Sequence, residues 1–439
     1  MRRLSKLLTP ISFSEKPFNQ TLYLNNDELS VPWNISFKAR RYVAEPADTL
    51  IIDTKEQFSC EMKKRESEGG PGREKIKIRS TLSDFCRWAA LQLSEIAKDF
   101  PLRPYILTQY RRRHFVSPEN KGIRVTVDTE MAYGFLPEDQ PFIWLSREKG
   151  LRVEIKTDSE TTNIALCANV IELLQKHGAL PVISKKDQVY NFHAKYLDQF
   201  SSKLQKELVN TEIEAKFLIE HPRPHILFLG LKNAFRQGEF PDFFLDPYPF
   251  TQIKASVNFY WTRFKNGKAT EGVKLLHKGL MFRAITKTET RILEDSHGLK
   301  CLMARQEEKG KRLEYSRENL EQVLAQYAEK FGALALQGYL FRHRLSFWPE
   351  NRKSGRFYHL TVDRCTKDGK ILYQLEIEYV GRKLDQPFDA NPQEEILKDL
   401  DNLSWAVYQF SNKNASFSHP VLLPSQLTKL EWLIVNIQG

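Results

Sequence analysis

Apolar residues alternate with charged ones in many short segments of this chain, at the period of two that sends successive side chains to opposite faces of a strand. The alternation predicts strands over 33–44, 57–65, 74–79, 105–115, 122–129 and 151–157 in the first half. In the second half it predicts them over 211–219, 252–264, 279–288, 299–305, 338–348, 356–363 and 371–380. Helical spacing interrupts the strands. Thr81-Leu82-Ser83-Asp84 resembles a capping box, and Phe85, Ala89, Leu93, Ile96 and Phe100 follow it at helical intervals up to Pro101. Ile164 to His177 before Gly178, Leu320 to Phe331 before Gly332, and 393–410 read as further helices. Gly69-Gly70-Pro71-Gly72 reads as a turn between two charged strands.

The charges stand where a half-buried sheet usually carries neutral polar residues. In Glu212-Ile213-Glu214-Ala215-Lys216, two carboxylates and an ammonium share one face while Ile213, Ala215 and Phe217 share the other. Leu375-Glu376-Ile377-Glu378-Tyr379 repeats the arrangement. A charged inner wall of this kind is costly in a core but suits a cavity that holds a divalent cation beside a polyanion. For any one strand the simpler reading is a solvated face, where alternating Lys and Glu protect an edge.

Composition bounds the possibilities further. At 439 residues the chain is long enough for two domains, and the boundary falls near 200–210, giving residues 1–205 and 206–439. The formal charge of +11 is spread evenly, with 32 basic and 26 acidic side chains in residues 1–205 and 34 and 29 in the remainder, so an anionic partner is expected without a basic tail to bind it. Five scattered cysteines without a Cys-x-x-Cys predict a reducing, cytoplasmic setting. No run of eighteen apolar residues predicts a membrane span. The ten histidines lack metal-binding spacing, and neither a Walker-type loop nor a Gly-x-Ser-x-Gly elbow is present. Arg111-Arg112-Arg113 beside Tyr110 and Phe115 suits nucleic acid by charge and stacking, although a lone basic triplet is ordinarily a solvated face.

The order of charged strands carries a resemblance. Lys38 with Arg40, Glu61 with Lys63 and Arg65, Tyr110 with Arg112, Arg124 with Thr126 and Asp128, and Glu154 with Lys156 each share a face, and Ser184-Lys185 follows a helix. Over residues of about 18–195 this succession resembles the polyphosphate polymerase (VTC) domain of the triphosphate tunnel superfamily. The family's opening Lys-bearing strand has no counterpart, since only some twenty residues precede Thr21 and Leu4 to Lys16 carries no matching pattern. The expectation is therefore a first barrel without its opening strand, or a start upstream of Met1.

Residues of about 212–380 resemble the CYTH phosphohydrolases of the same superfamily. Glu212, Glu214 and Lys216 match a Glu-x-Glu-x-Lys signature, and Arg283 is what remains of a Leu-Arg-x-Arg strand. Arg305 closes a segment standing where a Thr-x-Lys strand is expected, Arg342 and Arg344 fit an Arg-rich strand, and Glu376 with Glu378 fits the closing Glu-x-Glu. Phe259-Tyr260-Trp261-Thr262 stands in place of a Tyr-Tyr-Asp-Thr turn.

The resemblance implies an α+β fold of two tandem antiparallel β-barrel tunnels with helices packed outside. It implies Lys38, Arg40, Lys63, Arg112, Arg124 and Lys185 as phosphate-gripping catalytic residues of the first barrel, and Lys216, Arg283, Arg305, Arg342 and Arg344 as phosphate-binding residues of the second. Glu61, Glu154, Glu212, Glu214, Glu376 and Glu378 would hold Mg²⁺ or Mn²⁺. ATP, triphosphate or polyphosphate are the implied partners. The implied activity is polyphosphate polymerase-like phosphotransfer, with a CYTH-type triphosphatase and a non-catalytic polyphosphate or nucleotide sensor as alternatives.

Overall fold

The computed structural model describes residues 9–10, 18–25, 35–46, 53, 55–65, 73–93, 102–116, 123–136, 143–148, 150–156, 161–176, 178–179, 181–197, 204–220, 224–245, 252–265, 268–278, 281–383, 391–413 and 421–437. The chain divides into two compact units, residues 1–64 with 73–192, and residues 193–439 with 65–72. Both are antiparallel sheets with helices outside, an α+β fold.

The first unit runs β1 (Thr9–Pro10), β2 (Phe18–Asn25), β3 (Ile35–Val43), β4 (Phe58–Arg65), β5 (Arg73–Ser80), α1 (Leu82–Gln92), β6 (Arg103–Val116), β7 (Arg124–Phe135), β8 (Ile143–Glu148), β9 (Arg152–Lys156), α2 (Thr161–Lys176) and α3 (Lys185–Leu197). Its strand order is β5-β4-β3-β2-β6-β7-β8, with β9 also on β7 and β1 on β6, and among the described residues the two ends do not meet. It is a half-barrel, in keeping with the expected lack of an opening strand. Period-two alternation gives the sheet one apolar face: Phe37, Phe58, Cys60 and Met62 pack with Phe85 and Ala89 of α1, and Val125 and Val127 pack with Cys167 and Val170 of α2. Thr81 caps α1, its hydroxyl accepting from the Asp84 N–H at 3.2 Å. The opposite face carries the charges.

The second unit runs β10 (Thr211–Glu220), α4 (Pro224–Gln237), β11 (Phe243–Phe244), β12 (Gln252–Lys265), β13 (Lys268–Lys278), β14 (Met281–Ile292), β15 (Leu302–Glu314), α5 (Arg317–Phe331), β16 (Ala335–Phe347), β17 (Glu350–Asn351), β18 (Arg356–Lys367), β19 (Lys370–Arg382), α6 (Pro392–Lys413), β20 (Val421–Pro424) and α7 (Lys429–Ile437). Eight strands close in the order β18-β16-β12-β13-β14-β15-β10-β19, because β19 pairs with β18 as well as with β10. Ile396, Leu400, Leu403 and Val407 form one buried stripe of α6, which covers the outward residues of β10 and β19. Ser316 caps α5, and Gly332 ends it at φ +80°, where a side chain would be strained. Residues 204–210 return to the barrel: Gln205 exchanges backbone hydrogen bonds with Arg382 at 2.8 and 2.9 Å, and a Cβ on Gly381 would meet the Gln205 carbonyl at 2.9 Å. Glu207 is fully buried there, accepting from Arg356 at 2.9 and 3.1 Å and from the Tyr379 hydroxyl at 2.6 Å.

Several expectations need correction. Strands β8, β13 and β20 and helices α3, α4 and α7 carry no clear period in the sequence. In α4 the buried Leu227, Phe228, Leu231, Ala234 and Phe235 recur at helical spacing, but Ile226, Leu229 and Gly230 on the other side are apolar as well and Lys232 is buried, so the stripe is blurred. Phe259 to Thr262 lies within β12, where the register shifts after Tyr260, and is not a turn. The strand placed at 299–305 begins at 302 and continues to 314. The glycine turn at 69–72, Leu280, and Ile96 to Pro101 lie outside the described residues. No described helix is long and apolar enough to cross a membrane.

Candidate functional site

On the charged face of the first unit, register brings Lys38 opposite Glu61, Arg112 opposite Asp128, and Thr126 opposite Glu154. Glu61 is shared by Lys38 at 2.7 Å, Lys63 at 3.1 Å and Lys75 at 3.2 Å. Burial opposes its charge, but the Lys38 hydrogen bond and neighbouring ammoniums hold the carboxyl at about 2. Burial, with Lys63 and Arg40 nearby, brings the Lys38 ammonium down to about 7 despite that bond. At the other end of the face Arg112 grips Asp128 through two bonds of 2.6 and 2.8 Å and reaches Glu154 at 3.4 Å. Lys185 also bonds Asp128, and its ammonium lies 4.3 Å from the Tyr110 ring centroid. Arg40 donates to Thr21 at 3.4 Å, whereas Arg124 is exposed at the start of β7. Four strands separate β4 from β9, so Glu61 and Glu154 serve two regions of the sheet and not one site.

In the second unit many inward positions of the ring are charged. Glu212 accepts from Lys287 at 2.6 Å and Arg305 at 2.6 Å, and Glu214 pairs with Lys216 at 2.8 Å and with Arg305. Arg344 takes Asp363 through two bonds of 2.7 Å and also bonds Glu376. Lys429, the first residue of α7, reaches Asp363 at 2.9 Å and Glu376 at 2.5 Å. Burial opposes charge on Asp363 and Glu376, yet the cations around them hold both carboxyls well below the ordinary range. Arg342 stands 4.0 Å from Asp363, and Arg283 faces Arg312 across the β14–β15 pair.

Two groups in this lumen differ from the rest. Lys274 forms no ion pair among the described residues; burial, then Lys287 and Arg342, depress its ammonium well below the usual lysine range. Glu378 is held by no hydrogen bond or ion pair among the described residues, and burial, then the Glu212 and Glu307 carboxylates, push it up to about 7. A carboxyl raised in this way stabilises the fold in its protonated form, a contribution complete below 4.5 and lost as pH rises through about 7. Glu378→Gln should therefore melt above the parent protein at pH 8 and with it at pH 4. A difference that does not change with pH would remove this account of Glu378.

The two units share one constellation. Arg112, Asp128, Glu154 and Lys185 in the first correspond to Arg344, Asp363, Glu376 and Lys429 in the second, with a bidentate Arg–Asp pair and a lysine opening a helix in both. Thr126 donates to the Glu154 carbonyl at 3.5 Å, and Thr361 to the Glu376 carbonyl at 3.4 Å. The lysine-bearing helices are capped alike: Ser184 accepts from the Asp187 N–H and Thr428 from the Glu431 N–H, both at 3.2 Å. Lys429, Asp363, Lys274, Lys287 and Glu307 were absent from the site read in the sequence. The signal for Lys429 was present, because Thr428-Lys429-Leu430-Glu431 repeats the form of Ser184-Lys185-Lys186-Asp187.

Among the described residues no three His, Cys, Asp or Glu side chains are grouped to hold a metal ion. Glu61, Glu154, Glu212, Glu214 and Glu376 are each paired with basic side chains. At Glu378 the like charge of Glu212 and Glu307 is offset in part by Lys309 and Lys287, and an oxygen donor of this kind suits a hard divalent cation.

The order of motifs along the first sheet is matched by a family model. Residues 38–185 match the VTC domain. The VTC match begins at Lys38, opposite Glu61, and ends at Lys185, on Asp128. Similar solved structures include a protein assigned as an adenylate cyclase from Bacillus halodurans, 14% identical, covering 51% of this chain and 98% of that chain, with a TM-score of 0.28. An RNA triphosphatase of S. pombe is 13% identical, covers 52% and 95%, and scores 0.26. The Mimivirus capping enzyme triphosphatase is 9% identical, covers 52% and 99%, and scores 0.26. Scores of this size transfer no property to this chain. No curated protein matches it.

Proposed function

We propose that the chain is a metal-dependent phosphotransferase acting on inorganic or nucleoside triphosphate, of the polyphosphate polymerase type that its first half resembles. The observation that carries this reading is Lys274, a lumen cation that forms no ion pair among the described residues, where Lys287 and Arg342 act on it more strongly than the Glu307 and Glu212 carboxylates. An unpaired cation among further basic side chains is suited to an anion, and a phosphate chain offers several oxygens to such a set. Lys274, Lys287 and Arg342 would receive phosphate oxygens, while Arg305, Arg344, Lys216 and Lys429 share their charge between the chain and their carboxylates. Phosphoryl transfer depends chiefly on such positioning and neutralisation. Mg²⁺ or Mn²⁺ arriving with the triphosphate would supply further charge to the transferring group, and Glu378 is the lumen carboxylate that forms no ion pair among the described residues to contest it. The VTC match over 38–185 supports the polymerase form.

Glu378 favours a second reading, triphosphate hydrolysis, because a carboxyl titrating at about 7 is suited to accept a proton from water. The open first sheet suits a binding role for that unit. Incubation with ATP and Mn²⁺ or Mg²⁺ separates these outcomes, with products resolved on a polyphosphate-stained gel beside a free-phosphate assay. Long chains are the expected product; free phosphate alone selects the hydrolase. No product with intact tripolyphosphate binding leaves a sensor, and no binding removes the reading altogether.

A further inference from the structure

One end of the closed barrel is filled from within. Inward-facing residues of four strands, Tyr260 on β12, Leu340 on β16, Cys365 on β18 and Leu372 on β19, gather around Leu433 of α7, which has no exposed surface. Leu218 of β10 packs against the same cluster from a fifth strand, as do Leu427, Leu430 and Trp432. The segment that delivers Leu433 is fastened to the rim. Strand β20 pairs along β10, the Ser425 N–H donates to the Lys216 carbonyl at 3.0 Å, and the Gln374 amide donates to the Leu427 carbonyl at 2.8 Å. Along β19 the inward positions pass from Leu372 through Gln374 to Glu376 and Glu378, and along β18 from Cys365 to Asp363, so apolar packing gives way to charge within one or two steps. Lys429 lies at that transition, bonded to Asp363 and Glu376.

We infer that this barrel is a one-ended well and not a through-tunnel, so that it accepts only the terminus of a phosphate chain, with Lys429 in its floor. A polyanion passing the Leu433 cluster would have to exchange its hydration for aliphatic and aromatic side chains that offer no hydrogen bond. Whatever enters therefore leaves by the same mouth, and a chain lengthened here is not extruded through the far side. The inference rests on the triphosphate reading above and narrows it to chain ends: a free triphosphate, a nucleoside triphosphate tail, or the last phosphates of a long polymer.

The test compares three probes on the full chain by calorimetry: tripolyphosphate, long-chain polyphosphate with free ends, and the same polymer with both terminal phosphates blocked as amides. Lys274→Met defines the share of binding that belongs to the second barrel. That share should be displaced by the first two probes, and by the blocked polymer about 100-fold more weakly. Equal displacement by blocked and free-ended polymer, with tripolyphosphate binding intact, overturns the one-ended well and leaves the triphosphate reading standing. Absence of tripolyphosphate binding, or binding untouched by Lys274→Met, fails differently, since it removes the second barrel as a triphosphate site and the inference with it.

Discussion

Arg356→Met is expected to lower the melting temperature of the second unit by about 10 °C, the size that follows from breaking a buried ion pair of roughly 3–5 kcal/mol in a domain this large. Arg356 and Glu207 are both essentially without exposed surface, joined by two bonds of 2.9 and 3.1 Å. The guanidinium also stands 3.6 Å from Asp399, which in turn accepts from Tyr358 at 2.9 Å, Ser354 at 3.1 Å and Asn351 at 2.8 Å. Methionine fills much of the volume but leaves Glu207 with Tyr379 at 2.6 Å and a more distant Arg382 at 3.4 Å. The loss therefore lies in an undercompensated buried carboxylate and not in a cavity. Scanning calorimetry reads the shift directly. A transition within about 2 °C of the parent protein would show that the cluster contributes little.

Lys274→Met should move binding and stability in opposite directions. Tripolyphosphate affinity is expected to fall about 100-fold, the loss of one buried charge-assisted contact worth some 2–3 kcal/mol. The melting temperature without ligand should rise, because the substitution removes a desolvated cation from beside Lys287 and Arg342. Few substitutions combine these signs, and a site residue buried against like charge is one that does. Titration calorimetry and a thermal melt on the same preparation suffice. A variant that loses stability while keeping its affinity would place Lys274 in the scaffold.

The strands that were legible in the sequence are those whose alternation is sharp, such as Glu212 to Phe217 and Leu375 to Tyr379, because a charged lumen and an apolar outer face leave opposite marks at a period of two. Helix α6 was legible for the same reason at its own period. Strand β13 was not, since Lys268 to Lys278 mixes small, charged and apolar residues and finds its place through the partners β12 and β14. Closure leaves no mark in the alternation itself and was implied only by the family resemblance. Both halves carry ordered charged strands, yet among the described residues only the second returns on itself, and that depends on β19 pairing with two strands at once. Within the candidate site, sequence reading found one member of most ion pairs and missed the other. Arg305 was named without Lys287, and Glu376 without Lys429, because the partner arrives from an element distant in the chain.

The doubly paired β19 also sets an order of events for folding. Strand β10 opens the unit, but its lumen-facing carboxylates and Lys216 find one neighbour in β15 and the other only when β19 has been synthesised. Until then Glu212, Glu214 and Lys216 belong to an unclosed ribbon whose interior is bathed in water. The search for that final pairing spans most of the unit, and non-local pairings of this kind make refolding slow. Lys429 comes later still on the chain, so the charge pattern around Asp363 and Glu376 is completed only by helix α7. A ribosome-bound nascent chain ending before residue 429 therefore carries a ring of strands without its last cation.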